Sequence, residues 1–441
     1  MGRILAREVD SFEHRHPTSR AMYESSSALL GGVPMPWMTE WAGPYPIYFS
    51  KAQSACVIDV DGNSFVDLCL GDTGAMTGHS PAPVVKAVTD RVALGITTML
   101  PTEDALWVSH ELKARFGLAF WQFSLSASDA NRFAIRIARA MTGRSKVLVF
   151  NGCYHGSVDE ALVTLDNGCV VPRPGNVGPP VDPAATTRVV EFNDLEALDH
   201  QLAHHDVACV LAEPALTNIG IVLPESGFHD GLRSLTRKHG TLLIIDETHT
   251  ISSGPGGYTA AFDLDPDMLT AGKPLAGGIP AACYGMSDDI GRWVIDSGLL
   301  RTSDTGGIGG TLAGNALSLA AMRATLEHVL TQSAYERMEE LAKGWTEGVQ
   351  EAISDYGMPW SVTRLGCRAE YWFAAVTPKN GGQAEMSIDA RLSRLTHLYA
   401  MNRGLLLTPF HNMALMSPDT GPPDVARHTR VFREMVEEFT A

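Results

Sequence analysis

Residues 126–156 read SASDANRFAIRIARAMTGRSKVLVFNGCYHG. Ala130, Phe133, Ala134, Ile137, Ala138 and Met141 recur at three- and four-residue spacing, which predicts a helix over 129–141 that Gly143 stops. VLVF at 147–150 follows at once, apolar without alternation, as a strand covered on both faces is. The same texture returns in RVVEF (188–192), VACVLA (207–212), TLLIID (241–246), MLT (268–270) and AACYGM (281–286), with helical segments between many of them. This alternation predicts an α/β fold with a mostly parallel, doubly wound sheet.

After about residue 315 long helical patterns take over, at 315–330, 334–353 and 388–403, the last stopped by Gly404. A strand-like run, GLLLTPF (404–410), and a helix over 423–440 complete a smaller α+β domain. Residues 31–48, GGVPMPWMTEWAGPYPIY, read as an ordered irregular arm whose Trp37, Trp41, Tyr45 and Tyr48 pack on the main body or on a second subunit. The expected organisation is an N-terminal arm with part of the small domain (1–60), a large α/β domain (61–314) and the small domain (315–441).

The chain has 441 residues, 45% of them hydrophobic and 19% charged, which is ordinary for a globular protein and argues against disorder. Lys and Arg number 34 against 50 Asp and Glu, a net charge of −16. So acidic a chain is a poor candidate for nucleic acid or for an anionic membrane. No stretch approaches the ~20 apolar residues of a membrane span, and the charged N-terminus does not resemble a signal peptide. Seven scattered cysteines without a CxxC fit a reducing cytoplasm and carry no metal signal.

Ligands of open α/β sheets bind beyond the carboxyl ends of the strands. VLVF leads to Asn151, Tyr154, His155 and Gly156; VACVLA leads to Glu213-Pro214, with Asn218 close behind; TLLII ends in Asp246-Glu247-Thr248-His249; MLT leads to Gly272-Lys273. Each alone has an ordinary reading as packing, a turn or a solvated lysine. Together they suit pyridoxal phosphate, which needs a lysine for a Schiff base, a carboxylate at the ring nitrogen, an aromatic face and helix N–H groups for the phosphate. Lys273, Asp246 and Tyr154 are the candidates for the first three. Ser126-Ala127-Ser128, ahead of the helix, could cap it and grip a phosphate, or serve as a plain cap.

At this point the sequence resembles the class III aminotransferases among the fold type I pyridoxal-phosphate enzymes, nearest the glutamate-semialdehyde aminomutase branch. The matching stretches are SLSASDANRFAIRIARAMTGRSKVLVFNGCYHG, VLAEPALTN, LLIIDETHT, LTAGKPLAGGIPAACYG and GGTLAGNALSLAA. The resemblance implies that Lys273 carries the cofactor and moves the proton, Asp246 pairs with the ring nitrogen and Tyr154 covers the ring. It implies a phosphate loop at Ser126, Ala127 and Ser128, Asn218 near the ring hydroxyl and Glu213 as a supporting carboxylate; His155, Thr248 and His249 are further cofactor-binding candidates. It also implies that Thr311 reaches the phosphate of the other subunit, hence a homodimer with shared sites.

Three departures stand out. The family's Ser-Gly-Thr loop is Ser126-Ala127-Ser128 here. Its Asp-Glu-Val is Asp246-Glu247-Thr248, followed by His249 where relatives often carry Gln or Met; His249 reads either as a partner of the cofactor's ring hydroxyl or as a structural histidine bonded to a nearby loop. The aminomutase branch usually has a carboxylate-holding Arg at the position of Met38, so Trp37 and Met38 make an apolar substrate wall unless Arg364, Arg368 or Arg403 supplies the clamp. The missing clamp argues that the chain is not itself a glutamate-semialdehyde aminomutase, and the expected function is a cytoplasmic, homodimeric aminotransferase moving an amino group from an amine or non-alpha amino acid to a keto acid. The alternatives are an aminomutase, racemase, decarboxylase or lyase on the same scaffold, or a non-catalytic binding protein.

Overall fold

Lys146–Phe150, Val207–Ala212 and Leu242–Asp246 lie side by side in parallel, the core of a seven-stranded sheet. Its spatial order is Phe120–Ser124, Ala282–Met286, Met268–Ala271, Leu242–Asp246, Val207–Ala212, Lys146–Phe150 and Thr187–Val190. Ala282–Met286 runs antiparallel to both its neighbours, and every other pairing is parallel. Every residue of Val207–Ala212 and Met268–Ala271 is buried, which is why these runs show no alternation. The helix Ala127–Thr142 packs on this sheet. Ser126 caps it by accepting from Asp129 N, and Gly143 ends it at φ +67° in the left-handed region.

The computed structural model describes residues 1–179, 181–301 and 307–440. They form two units, Met1–Pro81 with Glu336–Thr377 and Ser387–Ala441, and Ala82–Tyr335 with Pro378–Met386. The large sheet belongs to the second. The divisions fall at 81 and 335 rather than at 60 and 314. Residues 61–81 join the first unit because Ser64–Asp67 pairs with Cys56–Asp59 and, in parallel, with Leu405–Leu406. Residues 315–335 stay with the second because Ala316–His328 packs against Ala82–Val92 and Glu103–Phe116.

In the first unit, helices Ala390–Asn402 and Pro422–Thr440 accompany two small sheets. Of GLLLTPF only Leu405–Leu406 is a strand. The N-terminal helix Gly2–Arg15 is fastened by the buried Glu8, which accepts from Asn402 Nδ2 at 2.8 Å and Arg403 Nη1 at 3.0 Å. In the arm, Tyr45 is buried and its hydroxyl donates to His16 O, and the Tyr48 hydroxyl donates to Gly32 O. Trp37 is 44% exposed within the single chain and stands edge-on to Phe410 at 5.8 Å.

Among the described residues no helix is long and apolar enough to cross a membrane. Ile244 is fully buried in the middle of the large sheet. Ile244→Ala should cost ~2–5 kcal/mol and lower the urea midpoint of the protein; an unchanged midpoint would show that the strand centre does not limit stability.

Candidate active site

Asp246 ends its strand with 3% exposure. A carboxylate there is costly unless its oxygens are satisfied. Oδ2 accepts from His155 Nδ1 at 2.9 Å and Asn131 Nδ2 at 2.8 Å, and Oδ1 accepts from Thr248 N at 3.0 Å. Burial pushes the carboxyl up, but the His155 hydrogen bond and charge, with the Thr248 and Asn131 donations, bring it down to about 2. Burial works against the His155 imidazolium, and the Cys153 sulfur and the Asp246 carboxylate outweigh it, raising the ring to about 10. Asn131 is in turn held by Thr270, whose hydroxyl donates to Asn131 Oδ1 at 2.6 Å.

Lys273 follows Gly272 at the end of the neighbouring strand, with φ +49°, a left-handed backbone that a non-glycine residue adopts only under constraint. Its Nζ lies 2.8 Å from His249 Nε2. The helix start comes close: a Cβ on Gly272 would stand 3.0 Å from the Ala127 methyl and 3.3 Å from Ala127 N. Gly156, at φ +76°, likewise has no room for a side chain, since its Cβ would meet Ser128 Oγ at 2.0 Å. Ser128 Oγ accepts from Ser157 N at 3.0 Å. The loop after Lys146–Phe150 is thus pressed onto the helix N-terminus, where unpaired N–H groups and the helix dipole favour an anion.

Tyr154 N donates to Glu213 Oε1 at 3.2 Å, and Glu213 also accepts from Thr217 N and the Thr217 hydroxyl. Burial pushes the Glu213 carboxyl up, as it does Glu247, which accepts from Thr250, Tyr258 and Thr259. Asn218 is half-buried in the turn behind Glu213. Thr311 stands exposed ahead of helix Ala316–His328. Trp37 and Met38 belong to the first unit, in the turn Pro36–Thr39; Met38 lines a largely apolar cavity of about 550 Å³ with Trp41, Tyr48 and Leu406. Of the arginines there, Arg403 is bound to Glu8, Arg368 is buried and donates to Thr73 at 2.8 Å, and Arg364 is exposed. Sequence reasoning missed Asn131 and Thr270. A signal for Asn131 existed, a polar residue inside the apolar stripe of its helix.

These residues fit pyridoxal phosphate. An ionised buried carboxylate suits a ring N–H, a glycine-lined helix start suits the phosphate, and the buried Thr248 hydroxyl has no hydrogen-bond partner among the described residues. The sheet and this constellation define a pyridoxal-phosphate enzyme of fold type I. The sequence matches aminotransferase class-III over residues 37–418, and the chain belongs to that family, with pyridoxal 5′-phosphate as its cofactor. It is 32% identical over 404 residues to glutamate-1-semialdehyde 2,1-aminomutase 2 of Brevibacillus brevis, covering 90% of this chain and 92% of the relative. It resembles a solved glutamate-1-semialdehyde-aminomutase from Pseudomonas aeruginosa PAO1 at 48% identity and TM-score 0.96, over 99% of this chain and 98% of that one; a lysine variant of that protein was solved in complex with PMP. An omega-transaminase from Sphaerobacter thermophilus matches at 28% identity and TM-score 0.86, over 95% and 97%. The aminomutase relatives weigh against the expectation of transfer to an external keto acid.

The Asp246–His155 pair sets a pH dependence. Asp246, lowered to about 2 from ~3.9, stabilises the fold above pH ~4 and loses this as pH falls towards 2; His155, raised to about 10 from ~6.5, stabilises it below pH ~6.5 and loses this as pH rises towards 10. Urea midpoints of the apoprotein should therefore drop between pH 7 and 10, and His155→Gln should flatten that drop. A wild-type midpoint constant over the range counts against a charged His155.

Proposed function

We propose that this chain is an aminomutase of the glutamate-1-semialdehyde 2,1 type, which moves an amino group between adjacent carbons of one substrate. The observation that carries it is the 48% identity, along 99% of the chain, to a solved protein of that name. The bound cofactor would supply an electron sink for the charge left at carbon when a proton departs. Lys273 Nζ holds the cofactor's aldehyde carbon and carries the proton between carbons. Asp246 keeps the ring nitrogen protonated, Tyr154 covers the ring, and Glu213 fixes the Tyr154 backbone. His155 and Asn131 hold Asp246 ionised, a role in which they position rather than react. Ser126, Ala127 and Ser128 take the phosphate, Asn218 and Thr248 add polar contacts, and Thr311 reaches the phosphate of a second subunit in a homodimer. A reducing cytoplasm is supported by seven free cysteines.

A second reading, an aminotransferase using an external keto acid, is favoured by Met38 in place of the carboxylate-binding arginine, with apolar neighbours. One experiment separates the two. The pyridoxamine-loaded enzyme is given glutamate-1-semialdehyde alone, then an amine with pyruvate. The aminomutase reading expects the isomer carrying its amino group on C1, without added keto acid. Alanine formed from pyruvate, with no isomer, overturns it in favour of the second. Borohydride reduction should leave the cofactor on Lys273, and Lys273→Ala should lose both the adduct and turnover.

A further inference from the structure

His249 is buried just ahead of the turn Thr250–Ser253, with its Nε2 2.8 Å from Lys273 Nζ. Two nitrogens at this distance share one proton, since one must donate and the other must offer a lone pair. An ammonium facing a neutral imidazole satisfies this, and so does an imidazolium facing a free amine. Two cations do not: neither has a lone pair, and the charges repel. A proton held on one nitrogen is thus within transfer distance of the other.

Among the described residues, several charged groups on the surrounding elements have partners of their own. At the same strand end, Asp246 is held by His155 and Asn131, and Glu247 by Thr250 and Thr259. Glu213, after the adjacent strand, accepts from Thr217 and Tyr154 N. Asp129, in the first turn of Ala127–Thr142, accepts from Ser126. On helix Ala316–His328, which packs against the turn Lys273–Ala276, Arg323 pairs with Asp104 and Glu327, and His328 lies 3.9 Å from Glu327.

We propose that His249 is the proton acceptor for Lys273, taking the proton that Nζ must lose before it can attack a carbonyl. The proton moves from Nζ to Nε2. The freed electron pair on Nζ then bonds to the cofactor's aldehyde carbon, and the carbonyl oxygen leaves as water with the two remaining amine hydrogens. The Gln or Met common at this position in the family cannot accept a proton, so the device belongs to the His249 departure. The proposal rests on Lys273 being the attachment point.

The test follows cofactor capture by the apoprotein rather than turnover. Apoprotein is mixed with pyridoxal phosphate from pH 6 to 10, and the rate at which the visible band appears is compared for wild type, His249→Gln and His249→Asn. Wild-type capture should vary by less than about threefold between pH 7 and 10. The variants should slow about tenfold per pH unit below the ordinary lysine range of ~10.4 and converge with wild type near pH 10. Superimposed profiles overturn the proposal. So does a wild-type rate that falls tenfold per unit down to pH 7, an outcome readable even if neither variant folds. Borohydride reduction and peptide mapping on the same samples keep the two levels apart: a label on a lysine other than Lys273 overturns the attachment itself, whereas a label on Lys273 with superimposed profiles overturns only the role of His249.

Discussion

A carboxylate buried at the end of an apolar strand organises this site. Leu243, Ile244 and Ile245 carry the chain inward, and Asp246 arrives with a charge that cannot stay there alone. Its donors come from three places: His155 from the loop after Lys146–Phe150, Asn131 from the helix Ala127–Thr142, and the backbone of Thr248. Asn131 is fixed by Thr270 on the next strand, so one charge ties together two strands, a helix and a loop. Each donor is needed because removing a single partner of a buried charge leaves the rest desolvated. A buried carboxylate held ionised in this way is chemically suited to a protonated ring nitrogen.

The lysine is delivered by a different constraint, close backbone approach. Gly272 runs so near Ala127 that a Cβ there would be tightly crowded, at 3.0 Å from the Ala127 methyl, and Lys273 then turns through the left-handed region. Ala127 stands where the family usually has glycine, and its methyl occupies the space that a Cβ on Gly272 would contest. The extra carbon at 127 is accommodated because position 272 has none. Gly156 and Ser128 repeat the pattern on the other side of the helix start. The helix start is thus closely lined by backbone, and a one-carbon addition at Gly156 meets the Ser128 hydroxyl.

What could be read in advance follows from these two constraints. Strands buried on both faces announce themselves as apolar runs, so Val207–Ala212 was legible residue for residue and Leu242–Asp246 to within one. Phe120–Ser124 was not, because its burial is broken by the exposed Gln122 and the run never looks continuous. The hairpin Val163–Asp166 with Cys169–Pro172 is half-exposed and equally silent. Lys273, Asp246 and Tyr154 stood out as candidates because each lies at or within a few residues of the carboxyl end of a strand. Asn131 was marked only as a polar residue in the apolar stripe of its helix; its role was not legible, since its partner is 115 positions away. His249 was legible as a departure but not in its contact, which depends on where the next strand delivers Lys273.

The apparatus around Lys273 and Asp246 does not by itself choose between moving an amino group within one substrate and passing it to another. Both readings assign the same roles to Lys273 and Asp246. They differ in whether the substrate is retained between its two halves, which is a matter of recognition. A charged clamp retains a carboxylate strongly because it is bidentate and desolvated; an apolar wall retains it poorly. In the first unit, the arm residue at the clamp position is Met38, Arg403 is spent on Glu8, and Arg368 is sequestered against Thr73. Strong overall likeness to aminomutases and a missing clamp therefore pull in opposite directions. The likeness is spread along the whole chain, whereas the clamp is a single side chain. That asymmetry is why the aminomutase reading leads, and why Met38 is where it is most exposed to refutation.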